Sequence, residues 1–354
     1  MNASPLIAWA RLVRLPNVFT ILADVTSAFL LVLGGSGWWK ASSWSSQPST
    51  QLDRSDIGVQ LLLLWIAAVS LYWGGMVLND VLDVRHDRRS RSNRPLPTRQ
   101  IAWRTAHRAA WGMLLVGVIV SMFLSTKCLV IASLLCGFIV AYDGPCKRLW
   151  FAPILMGVCR VLSFLLGGAA ALACLTPLSD VPAAGPVSMA SLGPVVLGGL
   201  PAVLLAMAIG FGIYIAGLTT FARREAIGDR TIHLTIGWTG MLLGGLGLAI
   251  APRFGLAGSW WETCSQPIAR WQIDAVMIYP AAIALMLFPA LWQGWKAMQQ
   301  PSPKTIQMTI RSALLAIIPL TSVITALAVG PIPAGLIFAM LIPSRILAKT
   351  IAVT

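Results

Sequence analysis

The stretch Asn79-Asp80-Val81-Leu82-Asp83-Val84-Arg85-His86-Asp87 puts one amide and four-spaced carboxylates at the end of a long apolar run. Asn79, Asp83 and Asp87 recur at i, i+4 and i+8, so one helix face can present all three. Asp80, three before Asp83, borders that face. Carboxylates this close repel one another unless a cation shares them. Hard oxygen ligands of this kind suit Mg²⁺, which takes one or two carboxylates and fills its shell with water and phosphate. A second acidic pair, Glu225 and Asp229, has the same four-residue spacing. Arginines and Lys147 surround both clusters. Carboxylates mixed with guanidinium groups suit a metal-bound polyanion, with Mg²⁺ between acid and phosphate and the bases on the remaining oxygens.

The elements that carry these residues are membrane spans. The chain is 57% hydrophobic and only 11% charged, where a soluble protein carries about 25% charged residues. Several apolar runs reach the ~20 residues that cross a bilayer. The expected fold is all-α, a polytopic helical bundle of nine or ten spans around a central cavity open to lipid and cytoplasm, with residues 1–354 as one domain. The expected spans are 16–33, 57–78, 103–124, 127–140, 151–175, 194–220, 234–250, 273–292, 312–329 and 332–347. The last two are split by Gly330-Pro331-Ile332-Pro333 and count as two spans or one kinked span. No cleavable signal peptide is evident. The six cysteines have no metal-ligand spacing and read as packing residues.

Charge orients the bundle. Twenty of the 26 Lys and Arg residues fall on one side of these spans and five on the other. The basic side is the cytoplasmic one, and a bacterial inner membrane is the expected location. The net charge of +14 is thereby accounted for by the membrane, with no nucleic-acid partner. The loops after spans two, four and six then face the cytoplasm. They carry Asp80, Asp83, Asp87, Asp143, Glu225 and Asp229, half of the 12 acidic residues. Acids at a membrane boundary are costly unless exposed or paired, and are functional candidates. A phosphate site at the edge of an apolar bundle implies a ligand with a phosphate head and a lipid tail. An isoprenyl diphosphate has both halves.

These residues resemble a known family. Asn79-Asp80-x-x-Asp83-x-x-x-Asp87 followed by Asn93-Arg94-Pro95-Leu96 is similar to the first Asp-rich motif of the UbiA superfamily of intramembrane prenyltransferases. Arg14-Leu15-Pro16-Asn17 resembles that family's start of helix one. Tyr142 with Lys147-Arg148, then Gly157-x-x-Arg160, resembles the loop and helix after span four. The resemblance implies transfer of an isoprenyl group from an isoprenyl diphosphate donor to an aromatic or other lipid-soluble acceptor, among membrane lipids. It implies two Mg²⁺ ions, one held by Asn79, Asp80, Asp83 and Asp87, the other by Glu225 and Asp229. Asp83, Asp87, Glu225 and Asp229 would carry catalysis through those ions. Asn17, Asn79, Arg94, Tyr142, Lys147, Arg148 and Arg160 would contact substrate or close the site.

Two departures stand out. The family's second motif has an Asp seven residues before its last, and that position is Ala222 here, while its central Asp is Glu225. The segment from Tyr214 to Ala226 looks more like an EboC-like branch. The spacing from Tyr142 to Lys147 is one residue longer than usual.

Other readings compete. The first motif could be a solvated cap on a span, and Glu225 and Asp229 could be a loop paired with Arg223, Arg224 and Arg230. Asp143 reads best as a turn residue before Gly144-Pro145. Asp24, inside span one, needs a partner that the sequence does not identify, and Arg160 is expected to face the cavity and pair with an acid. His86, His107 and His233 read as loop or interface residues. Most of the eight arginines in 85–108 are expected only to set topology. The rival functions are a transporter or lipid-binding membrane protein, a catalytically impaired relative, and a phospholipid head-group transferase. Transporters set their ion sites near the midplane, whereas these clusters lie at span ends.

Overall fold

A computed structural model describes residues 5–35, 54–89, 94–175, 195–196, 199–223, 231–255 and 272–353. A short helix α1 (Pro5–Leu12) and a 3₁₀ turn (Leu15–Asn17) lead into α2 (Val18–Gly35). Then come α3 (Arg54–Arg89), α4 (Trp103–Leu124), α5 (Thr126–Asp143) and α6 (Ala152–Leu175). A two-residue pairing of β1 (Val195–Val196) with β2 (Leu200–Pro201) precedes α7 (Ala202–Ala222). The chain closes with α8 (Thr231–Ile250), α9 (Ile278–Gln299), α10 (Pro303–Leu315), α11 (Ile317–Val329), α12 (Pro331–Ala339) and α13 (Leu341–Val353). Ten segments among the described residues are long and apolar enough to cross a membrane, with α10–α11 and α12–α13 each forming one. The protein is a polytopic membrane helical bundle, and of the two expected counts the larger holds.

Both composite spans break for the same reason. Proline has no N–H to give the carbonyl four residues back and crowds it sterically. Pro319 interrupts the helix at Leu315–Ala316, and Pro343 interrupts it at Ala339–Met340. Span three matches the sequence reading at Trp103–Leu124, while several other edges differ. Span two does not end at Leu78, because α3 runs unbroken to Arg89. Its 36 residues make a rod of about 54 Å, well beyond the ~30 Å hydrocarbon layer. Span six begins at Ala202 and not at residue 194, because Gly199 turns with φ of +86° and Pro201 caps the helix. Span eight begins five residues late, behind a turn in which the Val276 N–H donates to Asp274 Oδ1 at 2.7 Å.

Helices meet here without a water-driven hydrophobic force between them, so close backbone approach matters. Two glycines illustrate such close crossings. A Cβ on Gly217 of α7 would stand 2.5 Å from the Met241 nitrogen of α8, and one on Gly167 of α6 would stand 2.3 Å from the Val25 oxygen of α2. Hydroxyl and indole groups supply the polar ties. Trp65 Nε1 donates to Thr26 Oγ1 at 2.8 Å, Ser27 Oγ to the Thr321 carbonyl at 3.0 Å and Tyr214 OH to the Ala313 carbonyl at 2.9 Å. Large apolar side chains stay exposed on the outer faces, among them Leu115, Phe123, Leu285 and Phe288. In a bilayer those faces meet lipid.

Candidate active site

Near its C-terminal end α3 carries Asn79, Asp80, Asp83 and Asp87 on one side. At 3.6 residues per turn they fall at about 0°, 100°, 40° and 80° around the axis. Asp80 therefore lines up with Asp87, seven residues on, more closely than with Asn79. The contacts follow that geometry. Arg94 Nη1 reaches both Asp87 Oδ2 at 2.7 Å and Asp80 Oδ1 at 3.4 Å. Lys147 Nζ donates to Asn79 Oδ1 at 2.5 Å and also to Asp83 Oδ2. The expected single face of three ligands with Asp80 at its border is thus two pairs, each with its own base. Asp80 and Asp87 are buried, while Arg94 is 41% exposed.

Each base is brought in by a different segment. Arg94 opens the bend through Pro95, Leu96 and Pro97, whose Leu96 is buried in the core. Trp103 Nε1 ties the start of α4 back to α3 by donating to the Val81 carbonyl at 3.3 Å. Lys147 lies in the loop between α5 and α6. That loop is held by Arg223, at the end of α7, whose guanidinium donates to the Trp150 carbonyl at 3.0 Å, the Lys147 carbonyl at 3.3 Å and the Leu149 carbonyl. Arg14 comes from the other direction. Its backbone is left-handed, with φ of 50°, an uncommon conformation for a side chain of this size. Its Nη2 lies 3.7 Å from Asp80 Oδ1.

The remaining expected residues divide. Tyr142 is half-buried in the last turn of α5, and Asn17 ends the 3₁₀ turn before α2, beside the Tyr72 hydroxyl. Arg148 is exposed and forms no ion pair with a described residue. Arg160 is buried in α6, its Nη2 3.1 Å from Asp24 Oδ1 and its guanidinium 5.8 Å from the centre of the Phe211 ring. That supplies the partner Asp24 needed. Glu225 and Asp229 lie outside the described residues, so the second acidic pair has no geometry to report.

Sequence reasoning missed two participants. Arg14 was read for topology and as a helix start, not as a partner of Asp80. Asp143 was read as a turn residue; it is the buried last residue of α5, with Lys147 foremost among its charged neighbours. The four-residue spacing from Asp143 to Lys147 was the available signal.

Among the described residues, no three Asp, Glu, His or Cys side chains converge as a ready metal cluster. The donor chemistry nevertheless fits a hard cation. An ammonium lies between the oxygens of Asn79 and Asp83, and a guanidinium between those of Asp80 and Asp87. Each oxygen pair thus already holds one positive group.

A helical membrane bundle with a quartet of three carboxylates and one amide at one end of its second span, ringed by bases from three other segments, defines the class. The chain belongs to the UbiA prenyltransferase family, which matches residues 27–312. It is 27% identical over 164 residues to a digeranylgeranylglyceryl phosphate synthase of Sulfurisphaera tokodaii, covering 46% of this chain and 52% of that protein. It is 33% identical over 112 residues to the synthase of the same name from Methanoculleus marisnigri, covering 30% and 39%. The chain spans about half the length, or less, of the curated relatives it matches. A solved structure described as giving insight into digeranylgeranylglyceryl phosphate synthase in membranes has the same fold, with a TM-score of 0.55 at 16% identity over 92% of this chain and 99% of that one. The apo structure of a UbiA homolog from Aeropyrum pernix aligns at 0.52 and 15% over 85% and 94%.

Proposed function

We propose that the chain, acting through residues 1–354 as one unit, transfers an isoprenyl group from an isoprenyl diphosphate to a lipid-soluble acceptor. The observation that carries this reading is the pairing of Asn79–Asp83 with Lys147 and of Asp80–Asp87 with Arg94 at the end of a membrane span. Asn79, Asp80, Asp83 and Asp87 would hold one Mg²⁺, and Glu225 and Asp229 a second. When bound, magnesium supplies the charge that stabilises a departing diphosphate. Lys147, Arg94 and Arg14 exchange carboxylate partners for diphosphate oxygens, and Arg148 joins them there, so that the four orient the donor. Tyr142 closes over it, and Asn17 and Arg160 line the route toward the acceptor.

The allylic C–O bond breaks with its electron pair going to pyrophosphate. The acceptor's nucleophile forms the new bond to carbon and releases one proton. The apolar bundle keeps water from capturing the allylic cation. The name of the curated relatives contains a glyceryl phosphate product, which makes a prenylated glyceryl phosphate lipid the first acceptor to test beside aromatic ones. The acidic end faces the cytoplasm of a bacterial inner membrane in this reading. The segment from Tyr214 to Ala226 looks more like an EboC-like branch, and this reading adopts it.

One specific feature favours a second reading, a catalytically impaired relative. The last residue of α7 is Ala222, where a third carboxylate of the second motif is expected. Incubating purified protein with Mg²⁺, a series of isoprenyl diphosphates and candidate acceptors, and measuring pyrophosphate release, separates the two. Release that a chelator stops supports transfer. No release with any donor and acceptor supports the impaired relative.

A further inference from the structure

A largely apolar cavity with two arginines in its wall lies beside the 3₁₀ turn Leu15–Asn17. Arg14, just before the turn, reaches toward Asp80. Pro16 and Asn17, within it, line a cavity of about 250 Å³ together with Gln307 and Arg311 of α10 and Ser344 and Arg345 of α13. The walls are tied together, since Ser344 Oγ donates to the Pro16 carbonyl at 3.0 Å and Thr20 Oγ1 to the Asn17 carbonyl at 2.7 Å. Leu315, which also lines the cavity, packs against an apolar cluster of Ala23, Ile318, Ile337 and Leu341.

The two arginines are the unexplained part. Arg311 lies eight residues inside the start of the span Pro303–Val329, and Arg345 five residues inside the end of Pro331–Thr350. At 1.5 Å per residue these are depths of about 12 and 8 Å. Charges within a span are expensive and are normally paired. No carboxylate of a described residue lies within ion-pair distance of either one. Two like charges in one cavity wall repel each other, and an anion between them offsets that repulsion.

We propose that this cavity binds the phosphate head of an anionic membrane lipid in the leaflet at the quartet's end of the bundle. A phosphate matches two guanidinium forks, each able to give paired hydrogen bonds. Basic pockets between spans on the cytoplasmic side are suited to such head groups. The cavity is smaller than the ~300–1,000 Å³ of sites that enclose a drug-sized ligand, so it takes the head and leaves the tails outside. The exposed Ile342 and Ile346 of α13 and Met308 of α10 offer those tails an apolar surface. The assignment does not depend on isoprenyl transfer, and its test reads binding alone.

The test is native mass spectrometry of the purified, delipidated full chain with dioleoyl phosphatidic acid, and in parallel with dioleoyl phosphatidylcholine. The wild type is expected to retain one phosphatidic acid and to prefer it over phosphatidylcholine. Arg311→Gln with Arg345→Gln is expected to lower that retention about tenfold, a loss of about 1.4 kcal/mol. Lys304→Gln with Lys349→Gln, basic residues of the same helices that do not line the cavity, is expected to change nothing. If the double variant does not fold, each single Gln variant is expected to lose about threefold. Equal retention by the arginine variants, or equal retention of phosphatidylcholine, would overturn the proposal. Inorganic phosphate at the lipid's concentration is expected to leave the lipid bound. Displacement by it would overturn the lipid assignment in favour of a soluble phosphate.

Discussion

Lys147 Nζ lies 2.5 Å from Asn79 Oδ1, across 68 residues of sequence, and the same ammonium pairs with Asp83. This contact fastens the α5–α6 loop to the end of α3. Replacing Lys147 with Met leaves the Asp83 carboxylate without its base. Under the proposed function, diphosphate affinity falls and the KM for the donor rises about tenfold or more, in keeping with the loss of a charge-assisted hydrogen bond. Steady-state kinetics with the donor varied checks it; an unchanged KM counts against Lys147 as a diphosphate contact.

Asp83→Asn and Asp87→Asn keep the shape of the quartet and remove one negative charge each. Pyrophosphate release should drop by at least about 100-fold for either, since even outer-shell partners of a metal are worth 10–100-fold. Raising Mg²⁺ should recover part of the loss. Turnover near that of the wild type in both variants would exclude them as ligands. Glu225→Gln run alongside tests the second acidic pair, and a rate that does not fall favours a single-ion site.

Arg223 holds the loop that carries Lys147 through backbone carbonyls of residues 147, 149 and 150. Its contacts are exposed, so the effect of losing them is modest, about 1 kcal/mol or fivefold in activity. Arg223→Gln should therefore weaken transfer several-fold with little change in the thermal midpoint. A large loss of stability instead would make Arg223 a folding residue.

The Asp24–Arg160 pair behaves differently, because both groups are buried. Removing one partner strands the other, which costs about 3–5 kcal/mol. Asp24→Leu should sharply lower the thermal midpoint in detergent, and Asp24→Leu with Arg160→Met should recover most of it. A double variant no better than the single would show that the two residues do not act as a pair.

Gly167→Leu should be as damaging as Asp24→Leu. A Cβ there meets the Val25 oxygen at 2.3 Å, which is backbone and cannot move aside cheaply. Overpacking of this kind costs about 1–3 kcal/mol or more. Because Val25 neighbours Asp24, the push also shifts the buried pair. Thermal unfolding of Gly167→Ala and Gly167→Leu, compared stepwise, checks the expected order.

Much of this was legible in the residues, for identifiable reasons. Ten spans follow from apolar runs of bilayer length, and the quartet follows from helical spacing at a span end. The partners were not legible. Lys147 meets Asn79, and Arg160 meets Asp24, only because segments distant in sequence pack side by side, and spacing carries no information about that. The three-residue step from Asp80 to Asp83 puts it at the border of the face, whereas the seven-residue step to Asp87 puts it in line with that residue. The edges of α3, α7 and α9 were misjudged where hydropathy falls off before or after the hydrogen-bonding pattern does. Pro201 and Asp274 mark two of those edges locally.

The uninterrupted course of α3 past Leu78 has one more consequence. Four donors ride on a single stiff beam, so their mutual spacing is set by backbone geometry and is indifferent to what the surrounding loops do. Rearranging those loops can change which base attends each acid, while the template itself stays in register from one occupant to the next.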